Sequence, residues 1–248
     1  MPRAVCRLIL LSALGFLSSR ALCAQDNPVT NEYRVTIFTF HPLTENIAGF
    51  GNLGYSSNPQ GYYETYTLGY PGITYTIKPW LQIWAIVLGI YTDNEGKPDT
   101  LELRPYVGPK FFLPNKRKMV IFNWTRYEMR NIYSHGTHDW AFYSRVRSRS
   151  GVQIPLTSLA NAWKPKTFYG LTDVEPFWQA GSGLTMVRFR AGLAYIPNDR
   201  IRIEFIYSTQ WGKASGSDSL VYNRNIFRMN IRVGVKRGLL GKVSNPGS

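Results

Sequence analysis

Cysteine is absent beyond residue 23, because Cys6 and Cys23 are the only two in the chain. A mature segment that starts after them forms no disulfide and does no thiol or redox chemistry through its own side chains. Long apolar runs are missing too. The longest, Leu8 to Leu17, is about half of the ~20 residues that a membrane-crossing helix needs, and nothing later exceeds it. Acid is scarce: 15 Asp and Glu stand against 29 Lys and Arg. Charged residues make up 18%, below the usual ~25%, which speaks against a highly solvated chain.

What is present begins with an ordered leader. Arg3 and Arg7 precede the apolar run, and Ser18, Ser19 and the small residues of Ala21–Ala24 follow it. That order predicts a secretory signal peptide over residues 1–24, cleaved after Cys23 or Ala24. Lipidation of Cys23 is disfavoured by the preceding Arg20-Ala21-Leu22. One domain is then expected over residues 25–248. The three leader arginines, with no acid beside them, leave residues 25–248 a net charge of +11. Such a balance suits nucleic acid only when the cations cluster, and here they sit at alternate positions of an exported chain, so no nucleic-acid partner is expected.

The alternation is clearest from Asn123 to Gln153. Arg126, Glu128 and Arg130, then Arg145, Arg147 and Arg149, recur every second residue, with Tyr127, Met129, Phe142 and Val146 on the intervening positions. Successive side chains of a strand point to opposite faces, so each segment carries one charged and one apolar face. The pattern repeats along the chain. Strands are predicted near 66–77, 81–92, 100–112, 119–130, 140–153, 168–179, 184–196, 201–211 and 225–236, with at least one more between Asn31 and Gly54. Turns fall at Lys78-Pro79-Trp80, Pro114 to Lys118 and Pro197-Asn198-Asp199.

This reads as a closed, antiparallel, up-and-down transmembrane β-barrel of about ten strands (8–12), with an even count keeping both termini periplasmic. Tight turns alternate with connections at Gly54–Gly61, 93–99, 131–139, 180–183 and 212–223, which are expected to be the longer, extracellular loops. Trp80, Tyr91, Trp140, Trp178, Tyr195, Trp211 and Tyr222 lie near strand ends, where polar-edged rings form girdles at the two membrane surfaces. The expected location is the bacterial outer membrane, with its lipid and the barrel-insertion machinery as partners.

Charges on such strands must point inward, since one at the midplane of the lipid face costs about 2–4 kcal/mol. The predicted lumen set is Glu102, Arg104 and Lys110; Arg126, Glu128 and Arg130; Arg145, Arg147 and Arg149; Glu175, Arg188 and Arg190; Arg202 and Glu204; Arg228 and Arg232. Guanidinium pairs bidentately with carboxylate, so the four glutamates should be bridged. Cations outnumber acids, which leaves some for water or an anionic lumen ligand. Narrow barrels usually have filled interiors, so the ladders are expected to be mainly structural rather than pore-selective.

The motifs Asn123-x-x-Arg126-x-Glu128-x-Arg130, Arg145-x-Arg147-x-Arg149, Asp173-x-Glu175-x-Phe177 and Arg188-x-Arg190-x-Gly192-Leu193-x-Tyr195 together resemble the bacterial family called domain of unknown function 2490. The resemblance covers about residues 60–236. It implies an outer-membrane-like barrel and no established activity. Gly238 to Ser248 trail past the last predicted strand, unlike the aromatic ending common in such barrels.

Candidate chemistry is thin. Ser134, His135, His138 and Asp139 supply the parts of a hydrolytic triad or a weak metal site, yet neighbours on one loop rarely align as nucleophile, base and orienter. A metal site there would lack a third firm ligand, so no metal and no cofactor are expected. Gly49-Phe50-Gly51-Asn52-Leu53-Gly54 resembles a phosphate loop only in composition, because no helix follows it, and it reads as a strand entering a turn. His41 precedes Pro42 in a turn and has no partner in sequence. A lipid-modifying hydrolase and a soluble exported β-sandwich or lipocalin-like binder are the competing readings.

Overall fold

A computed structural model of the chain describes residues 29–115, 118–157, 161–214 and 218–235. The predicted leader over 1–24, both cysteines, and the tail 238–248 lie outside the described residues. Eleven strands follow one another: β1 (Thr30–Pro42), β2 (Ile47–Asn58), β3 (Tyr63–Lys78), β4 (Leu81–Asn94), β5 (Thr100–Leu113), β6 (Val120–Ser134), β7 (Asp139–Pro155), β8 (Thr167–Gln179), β9 (Gly183–Asn198), β10 (Ile201–Lys213) and β11 (Leu220–Gly234). Sequence neighbours pair antiparallel, and a parallel pairing of β1 with β11 closes the barrel.

The count lies within the expected range but is odd, and the reason is local. The stretch expected to supply at least one strand before Gly54 supplies a hairpin, β1 and β2. Its turn is held by the Thr44 hydroxyl, which accepts from the N–H groups of Asn46 (3.3 Å) and Ile47 (3.0 Å), while Leu43 N–H donates to the Ile47 carbonyl at 2.9 Å. Such hydroxyl-backbone turns follow no strict residue code, so composition does not reveal the break. With eleven strands, β1 and β11 run in the same direction, which makes the seam parallel and puts the start of β1 and the end of β11 at opposite ends. The expectation of an even strand count is therefore corrected.

The expected alternation of short turns and long loops is corrected as well. At the end carrying Trp80, strands are joined by 43–46, 79–80, 114–119, 156–166 and 199–200; at the end carrying His135, by 59–62, 95–99, 135–138, 180–182 and 214–219. Neither set is systematically longer, because the strands run on into segments expected to be loops: β2 to Asn58, β4 to Asn94, β6 to Ser134, β10 to Lys213, and β11 from Leu220. Backbone pairing overrides the polar composition of those ends, as satisfied N–H and C=O groups outweigh weak propensity.

Strands of 12 to 17 residues sort their side chains by parity. Outward positions carry Val35, Leu53, Leu68, Val107, Phe142, Leu193 and Phe205, all exposed. Among the described residues, outward-facing strand charges are confined to the two ends, as with Glu64 and Asp93 near His135. Aromatic pairs sit at both ends of this face. Trp80 stacks on Phe111 and Phe168 on Tyr195 at one; Tyr66 meets Tyr55 and Tyr91, Tyr133 meets Trp140, and Trp211 meets Tyr222 at the other.

The interior is apolar toward the Trp80 end. Phe40, Phe50, Trp84 and Ile86 form one cluster, Phe112, Val120 and Phe122 a second, and Tyr169, Leu171, Ala194, Ile196 and Ile206 a third. Trp163, from the segment before β8, packs against the second and third and donates its indole N–H to the Lys118 carbonyl at 2.7 Å. Gly108 is needed on β5 because a Cβ there would lie 2.0 Å from the Thr125 carbonyl oxygen. That close approach brings Tyr106 and Trp124 within 6.1 Å of each other inside the barrel.

Candidate functional site

The remaining interior is charged, and the alternation of each strand decides which groups reach it. On β6, Arg126, Glu128 and Arg130 share the inner face; on β7, Arg145, Arg147 and Arg149 stand opposite them in antiparallel register, with Glu128 facing Arg145 and Arg126 facing Arg147. Glu128 is almost fully buried and takes Arg126 Nε at 2.9 Å and Arg147 Nη1 at 2.9 Å on one oxygen, and Arg145 on the other. Glu175, from β8, is completely buried. Arg126 Nη2 (3.1 Å), Arg147 Nη2 (2.9 Å) and Arg190 Nη2 (3.1 Å) surround it, with Arg188 Nη1 farther off at 3.9 Å. Asp173 joins Arg149 (2.8 Å) to Arg190 (2.5 Å). These contacts tie β6, β7, β8 and β9 into one network.

Three smaller clusters complete the ring. Glu102 receives two parallel forks, from Arg104 (2.7 Å twice) and Arg130 (2.7 and 2.9 Å), the bidentate geometry that suits guanidinium best. Glu204 accepts from Tyr169 Oη (2.9 Å) and Asn230 Nδ2 (3.0 Å) and forms an ion pair with Arg232, whose Nε lies 2.9 Å away. Glu32 pairs with Arg34 on its own strand and with Arg224 Nη1 at 2.9 Å across the seam. Rings brace the cations: Arg126 lies 4.2 Å over Trp124 and Arg147 lies 4.2 Å over Phe177.

A cavity of about 470 Å³ runs between this charged wall and an apolar one formed by Phe38, Phe40, Phe50, Trp84 and Leu88 on β1, β2 and β4. All of the predicted lumen residues face the interior; Glu175 and Arg202 lie behind the cavity wall, buried, and the rest line it. The sequence reading missed four interior charges: Glu32, Arg34, Asp173 and Arg224. Glu32 and Arg34 lie in the undivided first hairpin, and Arg224 lies one residue before the predicted last strand. Asp173 was visible in its motif, two residues before Glu175. Counting these, fourteen interior cations face six acids among the described residues, an excess of eight.

Three of these cations make no ion pair within 4 Å among the described residues. Lys110 stands over the rings of Trp84 (5.2 Å), Phe112 (4.8 Å) and Phe122 (5.3 Å) instead. Arg202 lies beside the Tyr169 side chain. Arg228 has neither support, and its buried Nε has no hydrogen-bond partner.

The polar loop at the other end is arranged as a loop and not as a catalytic unit. Ser134 closes β6 opposite Asp139, and its hydroxyl accepts from Gly136 N–H at 3.3 Å. His138 Nδ1 lies 3.2 Å from Tyr133 Oη, and His135 packs edge-on against Tyr133 at 5.2 Å. Among the described residues neither imidazole hydrogen-bonds to a serine hydroxyl or to the Asp139 carboxylate. Among the described residues no three His, Cys, Asp or Glu side chains converge to hold a metal ion. Gly49 to Gly54 lie within β2, where Gly51 backs onto the Gly69 carbonyl, and the turn comes later at 59–62. His41 lies near the end of β1, exposed.

The family model described as "Protein of unknown function (DUF2490)" matches residues 36–221. The chain belongs to this family. The match takes in both arginine ladders and the Asp173-x-Glu175 and Arg188-x-Arg190 motifs, so the interior network of β6 to β9 lies wholly inside the family region. It begins earlier than the resemblance read from the motifs and reaches into β1. No curated protein matches the chain.

Proposed function

We propose that this protein is an integral outer-membrane barrel, exported on a cleaved leader, whose interior ion-pair network is mainly structural and whose lumen is closed to steady conduction. The observation that carries the reading is the inversion of the sheet. Leu68 (62% exposed), Tyr70 (74%) and Phe142 (70%) belong to an uncharged outer belt, while Glu128, Glu175, Arg188 and Arg190 are buried within. In water such a belt would leave large apolar surface unburied, at about 25 cal/mol per Å². Lipid removes that cost, and the closed backbone pairing leaves no sheet edge to satisfy. Strand lengths exceed the ~9–11 residues that a tilted crossing needs.

Lipid would surround the belt, and the barrel-insertion machinery would deliver the chain there. A soluble lipocalin-like binder is less well supported, since its polar side would face out. A hydrolase centred on residues 134–139 lacks a serine–imidazole contact. Extraction with alkaline carbonate tests the proposal. The protein is expected to stay with the membrane pellet and to run faster on gels unboiled than boiled; release into the carbonate supernatant with no mobility shift overturns it.

A further inference from the structure

The parallel seam sets two guanidiniums opposite each other with less acid between them than the β6–β9 network has. Arg34 on β1 and Arg228 on β11 are register partners across the seam and share the inner face. Like charges directly opposite each other on neighbouring strands repel. In the β6–β8 network acids separate the guanidiniums: Glu128 and Glu175 do so for Arg126, Arg145 and Arg147. At the seam Glu32 is shared by Arg34 and Arg224, and Arg228 forms no ion pair among the described residues.

Arg188, on β9, enlarges the cluster. It donates Nη2 to the Gln210 side chain at 2.6 Å, its Nε is buried without a partner, and its nearest carboxylate oxygen is the distant Glu175 contact at 3.9 Å. Arg34 is the leading like charge acting on both Arg188 and Arg228. Ser208, fully buried on β10 between β9 and β11, has a hydroxyl with no partner among the described residues. Arg34, Arg188 and Arg228 all line the cavity, and across it stand Phe38, Phe50, Trp84 and Leu88.

We propose that the lumen holds a phosphate monoester group between Arg34, Arg188 and Arg228, with the organic part of the ligand lying along the apolar wall of β1, β2 and β4. Three guanidiniums, of which Arg34 shares Glu32 with Arg224, Arg188 touches Glu175 only at 3.9 Å and Arg228 pairs with no acid among the described residues, match a dianionic head with several acceptor oxygens better than a single carboxylate. The cavity volume is in the range of small-molecule sites. An anion seated there would neutralise part of the excess of eight and relieve the repulsion at the seam. The site lies inside the barrel, so it stands whether or not the outer belt faces the outer membrane.

The test is calorimetric titration of the full chain, folded in detergent, with inorganic phosphate, glycerol 3-phosphate and dihexanoyl phosphatidic acid, each against chloride at equal ionic strength. At least one phosphate probe is expected to bind saturably at one site while chloride does not. Saturation by inorganic phosphate alone identifies a free anion, tightest binding of glycerol 3-phosphate a soluble ester, and tightest binding of the short-chain lipid a headgroup; each result supports the site. Arg228→Gln is expected to weaken the best probe by about tenfold or more, while Arg104→Gln, which removes a lumen charge beside Glu102, leaves it within about threefold. Should R228Q fail to fold, Arg228→Lys keeps the charge but not the fork and is expected to weaken binding in the same direction. Absence of saturable binding by all three phosphates overturns the proposal. So does equal weakening in R228Q and R104Q, which would mean a diffuse field rather than a site.

Discussion

Glu175 shows what single residues do in this interior. It is completely buried among Arg126, Arg147, Arg188 and Arg190, and a buried pair broken on one side leaves charge without compensation. Glu175→Gln is therefore expected to destabilise the barrel by about 3–5 kcal/mol, read from urea unfolding in lipid vesicles; a loss under about 1 kcal/mol would show that the arginines find water instead. At the rim, Asp99 accepts from Tyr91 Oη (2.5 Å) and Asn94 N–H (3.1 Å), and these bonds, the tyrosine's first, hold its carboxyl below the usual carboxylate value. A group with a lowered folded-state pKa contributes order that is present above the unfolded pKa and lost as pH falls through the folded one. Protection of the Asn94 amide in hydrogen exchange is expected to drop on that acid side, and Asp99→Asn to remove the pH dependence.

At the scale of elements, the seam distinguishes this barrel from an even-stranded one. Val35 on β1 faces Met229 on β11, both outward, in parallel register. Residues 25–248 contain no cysteine, so Val35→Cys with Met229→Cys gives a clean cross-linking pair. A disulfide and a circularised species of altered mobility are expected under mild oxidation; pairing Val35→Cys with a cysteine at Ile203 on β10 instead should give none. The alternation within β5 to β11 is legible in the amino-acid order because parity is a property of the strand alone. The first hairpin is not. Its turn is set by the Thr44 hydroxyl and backbone bonds, and missing it hides Glu32, Arg34 and the odd count together.

For the whole molecule, the consequence of a filled interior is electrical. Apolar clusters with Trp163 occupy the Trp80 end, and the arginine network crosses the middle. Reconstitution in planar bilayers is expected to give no steady open channel, and any brief openings should favour anions because interior cations exceed acids. Large, stable conductance would contradict the filled lumen. Both ends of the barrel carry connections of comparable length. Under the proposed outer-membrane placement, labelling of a cysteine at Trp80 or His135 with an impermeant reagent on intact cells shows which end faces outward.

Parity, and with it the division into a charged and an uncharged face, came from the sequence by itself, because a side chain's direction along a strand depends on its neighbours in the chain and on little else. So did the excess of arginine over acid. Which acid meets which arginine, the parallel closure, and the unpaired Arg228 beside Arg34 depend on how β1 lies against β11, residues some two hundred positions apart. Register across such a distance is decided by closing the whole sheet, and only the tertiary structure carries that information.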